Sequence, residues 1–260
     1  MNRPTNPLII VADLHMSRIW HCFGNYMHRV DLPTIQRMLA SSLSNVLPIN
    51  THHLSETTKR EGLMIGFGGV TFDQLAAVHP VDQMVIMLNI NHQTSAEAAV
   101  AKARLAYSLT KERVVKLEVL NQDLKTSNNV ALIDAVRMLK AELPQLIAMP
   151  LITNNYEDAC TLLELGCPLL RVMGSGIGEG RGIVDTREFG RICELPVPVV
   201  LDGGVRNAGD YQIAHALGAE GCLVNSALFG GNSPPDVMLA SFLECSQGFA
   251  HKVSAARTLA

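Results

Sequence analysis

Val114-Val115-Lys116-Leu117-Glu118-Val119-Leu120 is an apolar, β-branched run interrupted by two charges. Such a run reads as a buried strand. Strand side chains alternate faces, so Lys116 and Glu118 point one way while Val115, Leu117 and Val119 point the other. A buried lysine is costly unless paired, and desolvation lowers a lysine pKa. That is how an amine becomes a Schiff-base nucleophile at neutral pH. The same two residues also suit a structural ion pair across a polar patch, and the stretch alone leaves both readings open.

Working outward from this strand, apolar runs alternate with helical patterns along the whole chain. Strand-like runs fall at 18–22, 45–49, 84–88, 114–120, 146–149, 169–173, 198–202 and 222–225, with a short lid strand at 8–13. Helical patterns fall at 31–43, 72–78, 95–109, 130–142, 156–165, 186–193, 208–217 and from 235 to about 245. Asp31, Thr94 or Ser95, and Asn207 are suitable N-caps, and Gly166 is a suitable stop. About eight strand–helix units predict an α/β fold, a (β/α)8 TIM barrel, as a single domain over residues 1–260. An open doubly wound sheet is the alternative. The segment 51–81, with a polar loop and the glycines Gly66, Gly68 and Gly69, is the least regular.

The chain has 260 residues, 48% of them hydrophobic, enough for a sizeable core. A net charge of −3 without a Lys/Arg stripe argues against nucleic acid. Six cysteines are scattered without metal spacing, which predicts reduced thiols in a cytoplasmic protein. The proline-rich start is unlike a signal peptide, and no apolar run approaches the ~18 residues of a membrane span. Nothing calls for a metal, a flavin or a nicotinamide.

Barrel chemistry sits at the C-terminal ends of the strands, and phosphate commonly sits on the loops after strands seven and eight. Here those loops read Asp202-Gly203-Gly204 and Asn225-Ser226-Ala227, joined by the glycine-rich segment 174–182 after strand six. Each loop alone fits a tight strand-to-helix turn; three at one face point to an anion site. Asp202 ends its strand and is a second acid/base candidate beside Glu118, or a cap for its own loop. His52 and His53, adjacent on a strand end, cannot both aim into one pocket, so a metal pair is disfavoured; one of them is a candidate anion contact.

The V-V-K-L-E-V strand, the glycine loop, V-V-L-D-G-G-V and L-G-A-E-G-C-L-V-N-S-A occur together and in order. In this set the chain resembles the thiazole synthases of bacterial thiamine biosynthesis, well over 84–250 and loosely before. The resemblance implies a (β/α)8 enzyme that builds thiazole phosphate from 1-deoxy-D-xylulose 5-phosphate, dehydroglycine and sulfur. Sulfur would come from the thiocarboxylate of a small ubiquitin-like carrier protein, and the enzyme would be a homo-oligomer, often a tetramer. It implies Lys116 as the imine-forming lysine and Glu118 and Asp202 as acid/base groups. Gly178, Gly203, Gly204, Asn225 and Ser226 would bind the sugar phosphate.

Several segments depart from the family pattern. The family's A-V-R-R is replaced by P-I-N-T-H-H near 48–53, and its L-P-N-T-A-G by Leu88-Asn89-Ile90-Asn91-His92-Gln93. Its P-Y-T-S-D-D is Pro150-Leu151-Ile152-Thr153-Asn154-Asn155, its loop proline is Gly176, and its G-T-G-K-Y is Cys22-Phe23-Gly24-Asn25-Tyr26. These changes point to a retained imine with an altered second substrate or sulfur donor. Two other readings of the chain are a Schiff-base aldolase-type barrel acting on a phosphosugar and a non-catalytic subunit that docks a carrier.

Overall fold

The computed structural model describes residues 6–25, 27–67 and 69–249. Tyr26 of the first loop, Gly68 of the glycine cluster and both ends of the expected 1–260 span lie outside them. Its strands are β1 (Leu8–Val11), β2 (Leu14–Ser17), β3 (Ile19–His21), β4 (Val46–Asn50), β5 (Met64–Ile65), β6 (Val85–Gln93), β7 (Val114–Val119), β8 (Ile147–Ile152), β9 (Leu170–Val172), β10 (Val199–Asp202) and β11 (Gly221–Val224). Its helices are α1 (Leu32–Ser42), α2 (Phe72–Ala76), α3 (Ala96–Thr110), α4 (Asn129–Glu142), α5 (Tyr156–Glu164), α6 (Thr186–Cys193), α7 (Ala208–Ala216), α8 (Ser226–Phe229) and α9 (Pro235–Gly248).

Eight strands pair in parallel in the order β3-β11-β10-β9-β8-β7-β6-β4, the sequential order expected of repeated strand–helix units. Most helices follow a polar cap at the end of a βα loop. Asp31, Ser95, Asn128, Asn155, Asp185 and Asn207 each accept a backbone N–H of the first turn, satisfying a donor the helix itself cannot.

One feature of the sheet departs from the predicted barrel. β5 pairs antiparallel with β4 on the edge away from β6, the edge a closed barrel would present to β3. The ladder ends there, and the two ends of the curled sheet meet through other hydrogen bonds. Phe67 N–H donates to Phe23 O at 3.1 Å beyond β3, and Gly66 N–H to Pro48 O at 3.0 Å. At the opposite end Ser17 N–H donates to Asn45 Oδ1 at 2.8 Å, and Asn45 N–H to Ser17 Oγ at 2.9 Å. Gly66 has φ +54°, and a Cβ there would lie 2.7 Å from Phe23 N, so the seam requires glycine.

The apolar core forms two shells. The outer one lies between sheet and helices and takes Val115, Leu117 and Val119 of β7, as the alternation predicts. The inner one lies inside the curl and takes Trp20, Val46, Met87, Val114, Leu169, Val200 and Leu223. The β1–β2 hairpin packs Ile9, Val11 and Met16 into this inner shell. The predicted lid strand is therefore one arm of a plug at the N-terminal end of the strands. No helix among the described residues is long and apolar enough to cross a membrane.

Candidate active site

The alternation that builds the inner shell also builds the site. Two residues beyond six of the apolar inner positions, the same face carries polar groups. Trp20 is followed by Cys22, Met87 by Asn89, Val114 by Lys116, Leu169 by Arg171, Val200 by Asp202 and Leu223 by Asn225. The apolar layer is thus the floor under a ring of chemistry at the C-terminal ends of the strands.

Lys116 and Glu118 form an ion pair on β7, and Lys116 Nζ also lies 3.4 Å from Asn91 Oδ1. Arg171 Nη2 donates to Glu118 Oε1 at 2.8 Å, and Arg171 Nε donates to Asp202 Oδ2 at 2.7 Å. Its Nη1 donates to Met149 O at 3.1 Å. Arg171 is 0% exposed, Lys116 and Glu118 4% and Asp202 7%, so the cluster is buried with its charges matched. Burial by itself opposes the Glu118 carboxylate most strongly; Lys116 and Arg171 together outweigh it and hold its pKa below the ordinary glutamate value. Burial raises the neighbouring Cys22 thiol, which therefore stays protonated.

A cavity of about 480 Å³ opens above this cluster. All eight residues singled out in the sequence line it: Lys116, Glu118, Asp202, Gly178, Gly203, Gly204, Asn225 and Ser226. The glycine loops are bound to one another, with Gly174 N–H donating to Gly203 O at 3.1 Å and Gly182 N–H to Gly204 O at 2.8 Å. Gly204 has φ +73°, and a Cβ there would lie 1.9 Å from Ser175 Oγ. Only glycine lets these two loops approach so closely. Asn225 Nδ2 donates to Gly24 O at 2.9 Å, joining the last strand to the loop after the first.

Sequence reasoning missed Arg171, which joins the two carboxylates, and missed Asn91 and His92, which also line the cavity. The signal for Arg171 was present, because a lone arginine inside Leu-Leu-Arg-Val-Met occupies the inward register that Lys116 occupies in its own strand. His52 and His53 stack edge to face and are not among the residues lining this cavity. Among the described residues, no three His, Cys, Asp or Glu side chains cluster so as to hold a metal.

This fold and site define a class: an α/β protein of sequentially ordered parallel strands whose buried lysine, flanked by carboxylates, faces a glycine-walled cavity. The model of the family described as thiazole biosynthesis protein ThiG matches residues 66–257, and the chain belongs to that family. It is 37% identical over 159 residues to a thiazole synthase of Citrifermentans bemidjiense, a match spanning 58% of each chain. A thiazole synthase of Sorangium cellulosum is 29% identical over 224 residues, 84% of this chain and 78% of that one. Among solved structures, the Amycolatopsis orientalis BexX/CysO complex contains a similar chain, with a TM-score of 0.79 at 25% identity over 94% of each.

Proposed function

We propose that this chain is a thiazole synthase-like transferase, a cytoplasmic homo-oligomer whose single domain is of the (β/α)8 barrel type. The observation that carries the reading is the continuous Lys116–Glu118–Arg171–Asp202 chain of contacts beneath a cavity rimmed by glycine loops. A structural ion pair has no need of such a cavity.

In this reading Lys116 Nζ attacks the ketone carbon of 1-deoxy-D-xylulose 5-phosphate. The amine proton passes to the oxygen, water leaves and an imine remains. Glu118 takes the proton from the adjacent carbon, C3, giving the enamine, and Asp202 is the second acid/base group of the later steps. Backbone N–H groups of Gly178, Gly203 and Gly204, with Asn225 and Ser226, receive the phosphate. Once C3 is a ketone it accepts sulfur, and condensation with dehydroglycine closes a thiazole phosphate for thiamine or a related heterocycle. The similar BexX chain was solved together with a second protein, CysO, which supports a protein partner here. We take that partner to be a small ubiquitin-like carrier bearing a thiocarboxylate. The altered segments 22–26, 48–53, 88–93 and 150–155 are where the second substrate or the sulfur donor differs.

Borohydride trapping with 1-deoxy-D-xylulose 5-phosphate, followed by peptide mass mapping, tests this. A reduced adduct on Lys116, absent in Lys116→Ala, is the expected result. An adduct only with other ketose phosphates would favour an aldolase-type enzyme, and none with any of them would leave Lys116 a structural charge in a docking subunit.

A further inference from the structure

Strand β6 keeps its register with β7 through Ile90 and has shifted by Gln93, so a bulge falls at Asn91-His92. There His92 has φ +59°, in the left-handed region that is uncommon for a residue other than glycine. Among the described residues, the other non-glycine positions with positive φ are Ala12, Leu43, Lys111 and Leu124. Leu43 and Lys111 cap helices, and Ala12 and Leu124 lie in loops. His92 lies within a strand. Regular alternation would turn only one of two neighbours inward, whereas the bulge brings both Asn91 and His92 to the cavity that holds Lys116 and Glu118. The His92 ring packs edge-on against Phe67, with centroids 6.3 Å apart at 79°.

Arg171 ties down one oxygen of each carboxylate. Both Nε and Nη2 of Arg171 engage Asp202 Oδ2, and Glu118 Oε1 is shared by Lys116 and Arg171. Converting the imine to the C3 ketone moves two protons: one from the C3 carbon, one from the C3 hydroxyl. Two protons call for an acceptor besides Glu118, and His92 is the ionisable side chain that the bulge brings to the cavity while Asp202 is held by Arg171.

Resting on the lysine-imine reading above, we propose that His92 is the base for the C3 hydroxyl. In the protonated imine, Glu118 takes the C3 proton; the C–H electrons form the C2–C3 double bond and the C2–N π electrons move to nitrogen. Glu118 then returns its proton to C2 while His92 takes the hydroxyl proton and C3 becomes a carbonyl. C2 is reduced and C3 oxidised, with no outside oxidant. The positive charge of the iminium thus ends on His92, carried by the hydroxyl proton. Burial most of all keeps the ring below the ordinary histidine range, with Glu118 pulling it up and Lys116 and His52 pushing it down, so it begins this step neutral.

Reduction with sodium borodeuteride in the presence of 1-deoxy-D-xylulose 5-phosphate reads this step without a sulfur donor. Trapping the imine puts deuterium on C2; trapping the rearranged ketone puts it on C3. Fragmentation of the Lys116 adduct separates the two. Wild-type protein is expected to carry label at C3. His92→Asn, which tolerates the left-handed backbone, is expected to form the adduct with the C3 share reduced about tenfold or more. His92→Gly should share the defect although its backbone is relaxed. Label at C3 in either variant as in wild type would overturn the proposal and leave His92 a packing partner of Phe67. A wild-type adduct labelled only at C2 would remove the hydroxyl step while sparing the imine; no wild-type adduct at all would remove both.

Discussion

The Nε of Arg171 donates to Asp202 Oδ2 at 2.7 Å from a strand interior where the arginine has no exposure. Its Nη2 reaches Glu118 in turn, so one guanidinium from β9 holds the carboxylates of β7 and β10 in fixed relation. Arg171→Met removes the cation and leaves both carboxylates buried beside Lys116 alone. The expected cost is about 3–5 kcal/mol of unfolding free energy, measured by urea denaturation at neutral pH. Adding Asp202→Asn should recover part of it, because the charge left unmatched is then gone. No recovery would mean that the lost packing, and not the charge, dominates.

Lys116→Met should behave differently. Glu118 retains Arg171, so the expected destabilisation is about 1.5–3 kcal/mol, smaller than for Arg171→Met, while the borohydride adduct is lost altogether. A larger stability loss than for Arg171→Met would make Lys116 the structural keystone of the cluster.

Gly204→Ala tests the glycine seam between the β9 and β10 loops. The new Cβ would meet Ser175 Oγ at 1.9 Å and Ser175 N at 2.7 Å, with φ at +73°. A destabilisation of about 1–3 kcal/mol is expected with weakened binding of inorganic phosphate, seen by calorimetry. Ser175→Ala in the same chain should relieve little, since the backbone nitrogen still blocks the methyl group.

Acid should unfold the protein partly through His21. This ring sits between β3 and α1, bonded at Nε2 to Ser42 Oγ at 2.8 Å, and burial lowers its pKa to about 3. The unfolded chain takes up the proton near pH 6.5 and the folded one does not, so stability is full above pH 6.5 and falls as pH drops toward 3. The slope is about 1.4 kcal/mol per pH unit from this residue. His52, His79 and His92 are shifted the same way, so the informative quantity is the difference between wild type and His21→Gln. Glu118, held low, adds its own loss only below the ordinary glutamate range, pH 4.5. Identical slopes for the two proteins between pH 5 and 6.5 would show that His21 is protonated in the fold.

The order of strands and helices was legible because each element carries its own local signal. Period-two and period-3.6 apolar patterns, polar N-caps and stopping glycines place α1, α3 and α6 within a residue or so of their observed ends. Lys116 and Glu118 could be assigned one face for the same reason, since alternation is a property of a strand considered alone. The rule that barrel chemistry gathers at the C-terminal strand ends joined Asp202 and the glycine loops to that face, and the resemblance gave them roles.

Other features depend on groups far apart in the chain. β5 is two residues long, below what a pattern can mark, and exists because the edge of β4 has free backbone groups to satisfy. The β6 bulge, and with it the direction of His92, arises from register against a neighbouring strand. Arg171 was written plainly in the sequence, yet its role required β7, β9 and β10 to curl until two carboxylates fell within reach of one guanidinium. Sequence by itself determined which face each side chain of a regular strand or helix takes, through the short-range sterics of the backbone. Tertiary structure alone decided which faces meet, because burying and pairing charge is a matter of distance across the sheet.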